Sequence, residues 1–168
     1  MNLTNKFAAA AVLLTVAIVL PCKTFAQSAH DAIGMWVFVS SINEQNGRKT
    51  ETYGPGASGV MVLDSTGRYA ITIIAAALPK FVSNNRTTAT ADEAKAVVAR
   101  SNAHFGIFSV NPGDKTITFN IESATFPNWN GTEQRRTNFT FAGDELKYMN
   151  TAPSVGGPAA VLVWKRAK

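Results

Sequence analysis

The stretch Thr116-Ile117-Thr118-Phe119-Asn120-Ile121-Glu122-Ser123 decides the fold. Ile117, Phe119 and Ile121 alternate with Thr118, Asn120 and Glu122. A period of two gives a β-strand one apolar face and one wet face. Just before it, Asn111-Pro112-Gly113-Asp114 is a turn signal that joins it to an expected strand at 103–110. After it, 135–141 repeats the alternation through Thr137, Phe139 and Phe141, and Ala142-Gly143-Asp144 turns the chain into 145–150. Nearer the start, 33–42 is rich in Trp, Phe and Val, and Gly54-Pro55-Gly56 breaks the chain before 59–63. Asp64-Ser65-Thr66-Gly67 is a hairpin signal leading into 68–74, because Asp and Gly tolerate the backbone angles of tight turns. Gly156-Gly157-Pro158 precedes the last strand, 159–166.

These segments amount to eight strands with mostly short links, which favours antiparallel neighbours in sequence order. Closing such a sheet hides both its apolar face and its edges. The expected fold class is therefore all-β, an eight-stranded antiparallel up-and-down barrel, with a β-sandwich as the alternative. One segment departs from the β pattern. Thr90-Ala91-Asp92-Glu93 is a capping box, and the alanine-rich residues that follow have high helix propensity. A short α-helix is expected between the third and fourth strands. Pro79 and the turn formers Ser83-Asn84-Asn85 make 75–89 an irregular loop, which with the helix is expected to cover one mouth of the barrel. Internal repeats and low-complexity tracts are absent from the sequence.

Residues 1–26 read as a secretory signal peptide. Lys6 precedes an uncharged, mostly apolar run from Phe7 to Leu20, and Thr24-Phe25-Ala26 places small residues at a cleavage site before Gln27. The run of 14 residues is shorter than the roughly 20 a membrane-spanning helix requires. A membrane anchor, or lipid attachment at Cys22, are the competing readings. Cleavage would leave 27–168 as one barrel domain, exported to a periplasmic or secreted location, with no stable membrane span. The single cysteine, Cys22, would leave with the leader, so stability would rest on packing and the sheet ladder rather than a disulfide. The leader carries two lysines and no acid, so its loss lowers the net charge from +5 to +3. The remaining charges are scattered. Without a basic stripe and interleaved aromatics, nucleic acid is not an expected partner.

Several motifs resemble the lipocalin-like domain family, whose members adopt a calycin-like β-barrel. They are Gly34-Met35-Trp36, Tyr53-Gly54 with Gly56 and Gly59, Asp64 to Gly67, and Phe105-Gly106. Phe126-Pro127-Asn128-Trp129 with Gly131 to Arg136, then Gly156-Gly157 and Val163-Trp164-Lys165-Arg166, complete a resemblance that covers nearly all of 27–168. The resemblance implies a lipocalin-like barrel with a lumen. It also implies that Gly34, Trp36 and Arg166 close one end, the arginine stacking on the tryptophan. Many family members carry a His-His pair in the fifth strand where this chain has Phe119-Asn120. A phenylalanine cannot serve as acid or base, so chemistry that relatives perform with that histidine is not expected here.

The lumen candidates are Trp36, Phe38, Ile71, Ile73, Phe105, Ile107, Phe119, Phe139 and Val163. At the mouth, Trp129, Gln134 and Arg135 combine an aromatic plate, an amide and a planar cationic fork suited to a carboxylate or carbonyl. The plainer reading of that block is a loop capping the barrel, with Arg135 bonded to backbone carbonyls. Outside the leader the histidines are His30 and His104, too few for a zinc site, so neither metal nor cofactor is expected. Haem held by His104 is an alternative to an ordinary strand-end histidine. Glu122 and Glu133 read as a solvated face rather than a catalytic pair, and a serine-nucleophile elbow is absent. The expected function is binding of a small hydrophobic molecule in the barrel. An isomerase or cyclase using the lumen, and a protein-interaction or inhibitor module with a filled barrel, are the rival readings.

Overall fold

The computed structural model describes residues 29–168, and the expected leader lies outside them. The strands are β1 Gly34–Gln45, β2 Arg48–Glu51, β3 Ser58–Leu63, β4 Arg68–Ile74, β5 Ser101–Asn111, β6 Thr116–Ala124, β7 Glu133–Ala142, β8 Glu145–Asn150 and β9 Ala160–Arg166. Neighbours pair antiparallel in the order β2-β1-β3-β4-β5-β6-β7-β8-β9, and β1 also pairs with β9. Eight strands thus close into a barrel, and β2 is an additional strand hanging on the far end of β1, from Ile42↔Glu51 to Gln45↔Arg48.

The extra strand corrects the expected count of eight. Every residue of Arg48–Glu51 is polar and exposed, so no apolar alternation marks it. The turn before it carries the signal instead. Asn46 and Gly47 both take positive φ (52° and 75°), the backbone that an Asn-Gly hairpin uses. With β2 counted, the helix lies between the fourth and fifth strands rather than the third and fourth. That helix, α2 Ala91–Arg100, begins with the full capping box: the Glu93 amide donates to Thr90 Oγ1 and the Thr90 amide donates to Glu93 Oε2 at 2.7 Å. Glu93 also accepts from the Val82 amide, tying the preceding loop to the helix; these bonds hold its carboxyl below the usual range.

The interior is filled by large side chains. Trp36, Trp164, Phe119, Phe139, Met61 and Leu63 are fully buried. One end is sealed around an arginine. The Arg166 guanidinium lies 4.3 Å from the centre of the Trp36 ring and 5.3 Å from that of Phe141. It donates to the carbonyls of Ile33 at 2.9 Å and Asp31 at 2.6 Å, and Trp36 Nε1 donates to Ala32 at 2.9 Å. These bonds pin the short helix α1, Ala29–Ala32, across the end of the barrel. Gly34 is required here: its φ is +139°, and a Cβ would strike Arg166 Nη1.

Two charge-assisted hydrogen bonds and two cation–π contacts meet on one side chain. Arg166→Met is therefore expected to destabilise the barrel by about 2–4 kcal/mol, read as a lower urea midpoint with an unchanged slope. An unchanged midpoint would show that the seal contributes nothing.

Candidate functional site

Strand alternation carries an unusual set of groups inward at the other half of the barrel. From β5 come Asn102 and His104, from β7 Gln134 and Arg136, from β4 Tyr69, and from β8 Tyr148. Tyr53, from the loop after β2, and Trp129, from a 3₁₀ turn at Pro127–Trp129, close over them. Arg136 is the chemical centre. It is only 3% exposed, its guanidinium sits 5.5 Å from the centre of the Trp129 ring, and it donates to Gln134 Oε1 at 3.2 Å. Gln134 is in turn anchored through Thr132, to whose hydroxyl it donates at 3.2 Å, while that hydroxyl donates to the Trp129 carbonyl at 2.8 Å.

The electrostatics follow from burial. Burial pushes the hydroxyls of Tyr53, Tyr69 and Tyr148 above the usual phenol range, although the Arg136 charge pulls each the other way. All three stay neutral. Burial also lowers the pKa of Arg136, but a guanidinium remains protonated in proteins. His104 is brought down to about 3, by burial first and by the Arg136 charge second. Its Nδ1 lies 2.9 Å from the Tyr69 hydroxyl, and its ring packs edgewise on Trp129 at 5.5 Å and on Phe119 at 6.0 Å. Since both partners are neutral, one hydrogen bond joins them, its direction set by the imidazole tautomer.

A cleft of about 260 Å³ opens at this end, lined by Tyr53, Val98 and Ala99 of α2, Asn102, Phe126 and Val155, among others. Asn102 is 6% exposed and its Oδ1 has no hydrogen-bond partner. Its side chain hydrogen-bonds the Tyr53 hydroxyl. Arg136 is not itself on the lining of the cleft; Tyr53, which is, feels its charge.

Of the candidates read from the sequence, Trp36, Phe38, Ile71, Ile73, Phe119 and Phe139 are buried in the barrel, and Trp129 is buried at its mouth. Trp36 and Phe38 lie along β1, Trp36 at the sealed end. Gln134 is half-buried and holds Arg136. Four candidates, Phe105, Ile107, Val163 and Arg135, face outward instead. Phe105 and Ile107 are each 47% exposed and face outward, because the inward positions of β5 are its even-numbered residues. Val163 likewise turns away from the interior that Leu162 and Trp164 occupy. Arg135 faces outward and pairs with Asp114 at 3.1 Å, both side chains being 55% exposed; the buried arginine is its neighbour. The cause is a bulge between Thr137 and Thr140, where Asn138 takes φ 51° and reverses the alternation of β7. His104 is an inward group rather than a simple strand end. Glu122 faces out and pairs with Arg68 at 2.6 Å. Among the described residues, no cluster of three or more His, Cys, Asp or Glu is arranged to hold a metal ion.

The lipocalin-like domain model matches residues 33–167. No curated protein matches the chain as a relative.

His104 binds fewer protons folded than unfolded between pH 6.5 and about 3, so its contribution to stability rises with pH across that window and is lost as pH falls. Relative to His104→Gln, the wild type is expected to lose up to about 1.4 kcal/mol per pH unit on acidification, measured by urea unfolding from pH 7 to 4. Parallel pH profiles for the two proteins would place the imidazole in water instead.

Proposed function

The chain belongs to the lipocalin-like domain family, and on that premise we propose that it is an exported binding protein that takes one small, largely apolar molecule into the mouth of its barrel. The observation that carries this reading is the 260 Å³ cleft, which joins an apolar wall of Val98, Phe126 and Val155 to inward polar groups. Ligand sites usually run from about 300 Å³ upward, so the ligand is small, a single ring or a short chain. The interior beneath is occupied by Trp36, Phe119, Phe139 and Trp164, which keeps the ligand near the mouth. The leader pattern of residues 1–26 supports export.

A second reading, an isomerase or cyclase, draws on the buried Tyr69–His104 pair. It is the weaker one. An imidazole whose pKa lies at about 3 is a poor base near neutral pH.

Native mass spectrometry of the protein purified from an exported fraction, followed by denaturation, tests the binding reading. One stoichiometric small molecule released on unfolding is the expected result. Val98 is 75% exposed on the cleft wall, so Val98→Trp is expected to fill the cleft and lower the loaded fraction severalfold without changing the unfolding midpoint. A wild type that is empty throughout, or loading indifferent to Val98→Trp, contradicts the proposal.

A further inference from the structure

Resting on that binding reading, we propose that Arg136 is the docking point for an anionic group of the ligand, which is therefore a small amphiphilic carboxylate with its apolar body in the mouth cleft. Moving a lone ion out of water costs several kcal/mol unless it meets a counter-charge. The ion pairs among the described residues are Arg68–Glu122, Arg135–Asp114 and Lys147–Glu145, all on the outside of the barrel. Arg136 is in none of them. What meets it is an amide oxygen and the face of an indole. The three nearby tyrosines are neutral and supply no charge.

Arg166 shows what a structural arginine looks like in this molecule. It is partly exposed, so water shares its charge, and two backbone carbonyls take its donors while two aromatic rings flank it. Arg136 is more deeply buried and is met by less. Its planar fork suits two parallel hydrogen bonds to a carboxylate.

A second observation points the same way. Asn102 lines the cleft and its side chain hydrogen-bonds the Tyr53 hydroxyl, which lies in the field of Arg136, while its buried Oδ1 has no partner of its own. Such an atom retains its full desolvation penalty until a donor reaches it. A ligand that carries a hydroxyl or N–H near its carboxylate would satisfy both groups at once. Hydroxy acids and N-acyl amino acids have that arrangement.

The test compares three probes of one chain length on the ligand-free protein: decanoate, 1-decanol and decyltrimethylammonium. Binding is read by titration calorimetry and by the fluorescence of the tryptophans, of which Trp129 stacks on Arg136. Decanoate is expected to bind at least tenfold more tightly than 1-decanol, with the cation weakest. Arg136→Met, checked for folding by its unfolding transition, should bring decanoate to the level of 1-decanol and leave 1-decanol unchanged. Equal affinity of the wild type for decanoate and 1-decanol overturns the anion site but leaves the container standing. A preference that survives in Arg136→Met does the same. If none of the three binds, the container reading fails and this one with it. The wild-type comparison needs no variant, so a misfolded Arg136→Met does not blunt the test.

Discussion

Arg136 carries a permanent positive charge inside the barrel, 3% exposed, and no carboxylate of the described residues pairs with it. The composition of this half of the interior follows from that. An indole lies against the guanidinium and a glutamine side chain accepts from it. Three tyrosines surround it with neutral hydroxyls, and burial and the cation together hold His104 neutral. Polar groups in a low-dielectric interior act strongly on one another, which makes a partly satisfied network costly to keep. Such a network is retained where it has work to do.

The two inward-reaching arginines divide the barrel by role. At the sealed end, Arg166 stacks on Trp36 and Phe141 and pins α1 through two carbonyls, so its charge is spent on closure. At the other end, α2 and the Pro127–Trp129 turn leave a cleft whose lining includes an unpartnered amide oxygen. The seam between β1 and β9 joins the two halves, running from Trp36↔Arg166 at the seal to Asn43↔Ala160 near the mouth. Of the cleft lining, Ser101 and Asn102 stand on β5, while Val98 comes from α2 and Tyr53, Phe126 and Val155 from loops.

Much of the architecture was legible in the sequence, because alternation in 116–123 and 135–141 and the turn residues between segments are local signals. The polar strand Arg48–Glu51 was not, since a hairpin that buries nothing leaves no hydrophobic trace. The site was harder still. In β5 both faces carry apolar residues: Phe105 and Ile107 point outward, while the inward positions include Asn102, His104 and Gly106. Choosing the apolar set selects the wrong face, because barrel exteriors also carry apolar side chains. Gly106 is informative in hindsight, since a Cβ there would overlap the Asn120 carbonyl across the β5–β6 bulge. In β7, reading back from Phe139 and Phe141 by twos puts Arg135 inside. The bulge at Asn138 shifts the phase and puts Arg136 there instead. Asn tolerates positive φ more readily than most residues, but that preference alone does not locate a bulge.

The central claim is that Arg136 serves a ligand rather than the fold. Arg136 has no counter-charge among the described residues to leave stranded, so replacing it with an apolar side chain of similar size removes a desolvation cost and gives up one hydrogen bond to Gln134. The most direct measurement is the urea unfolding midpoint of Arg136→Met against the wild type, each stripped of bound molecules by refolding. A midpoint at or above that of the wild type is the predicted result. A loss of about 2 kcal/mol or more, the range for a structural charged hydrogen bond, would contradict the account and make Arg136 a keystone of the fold.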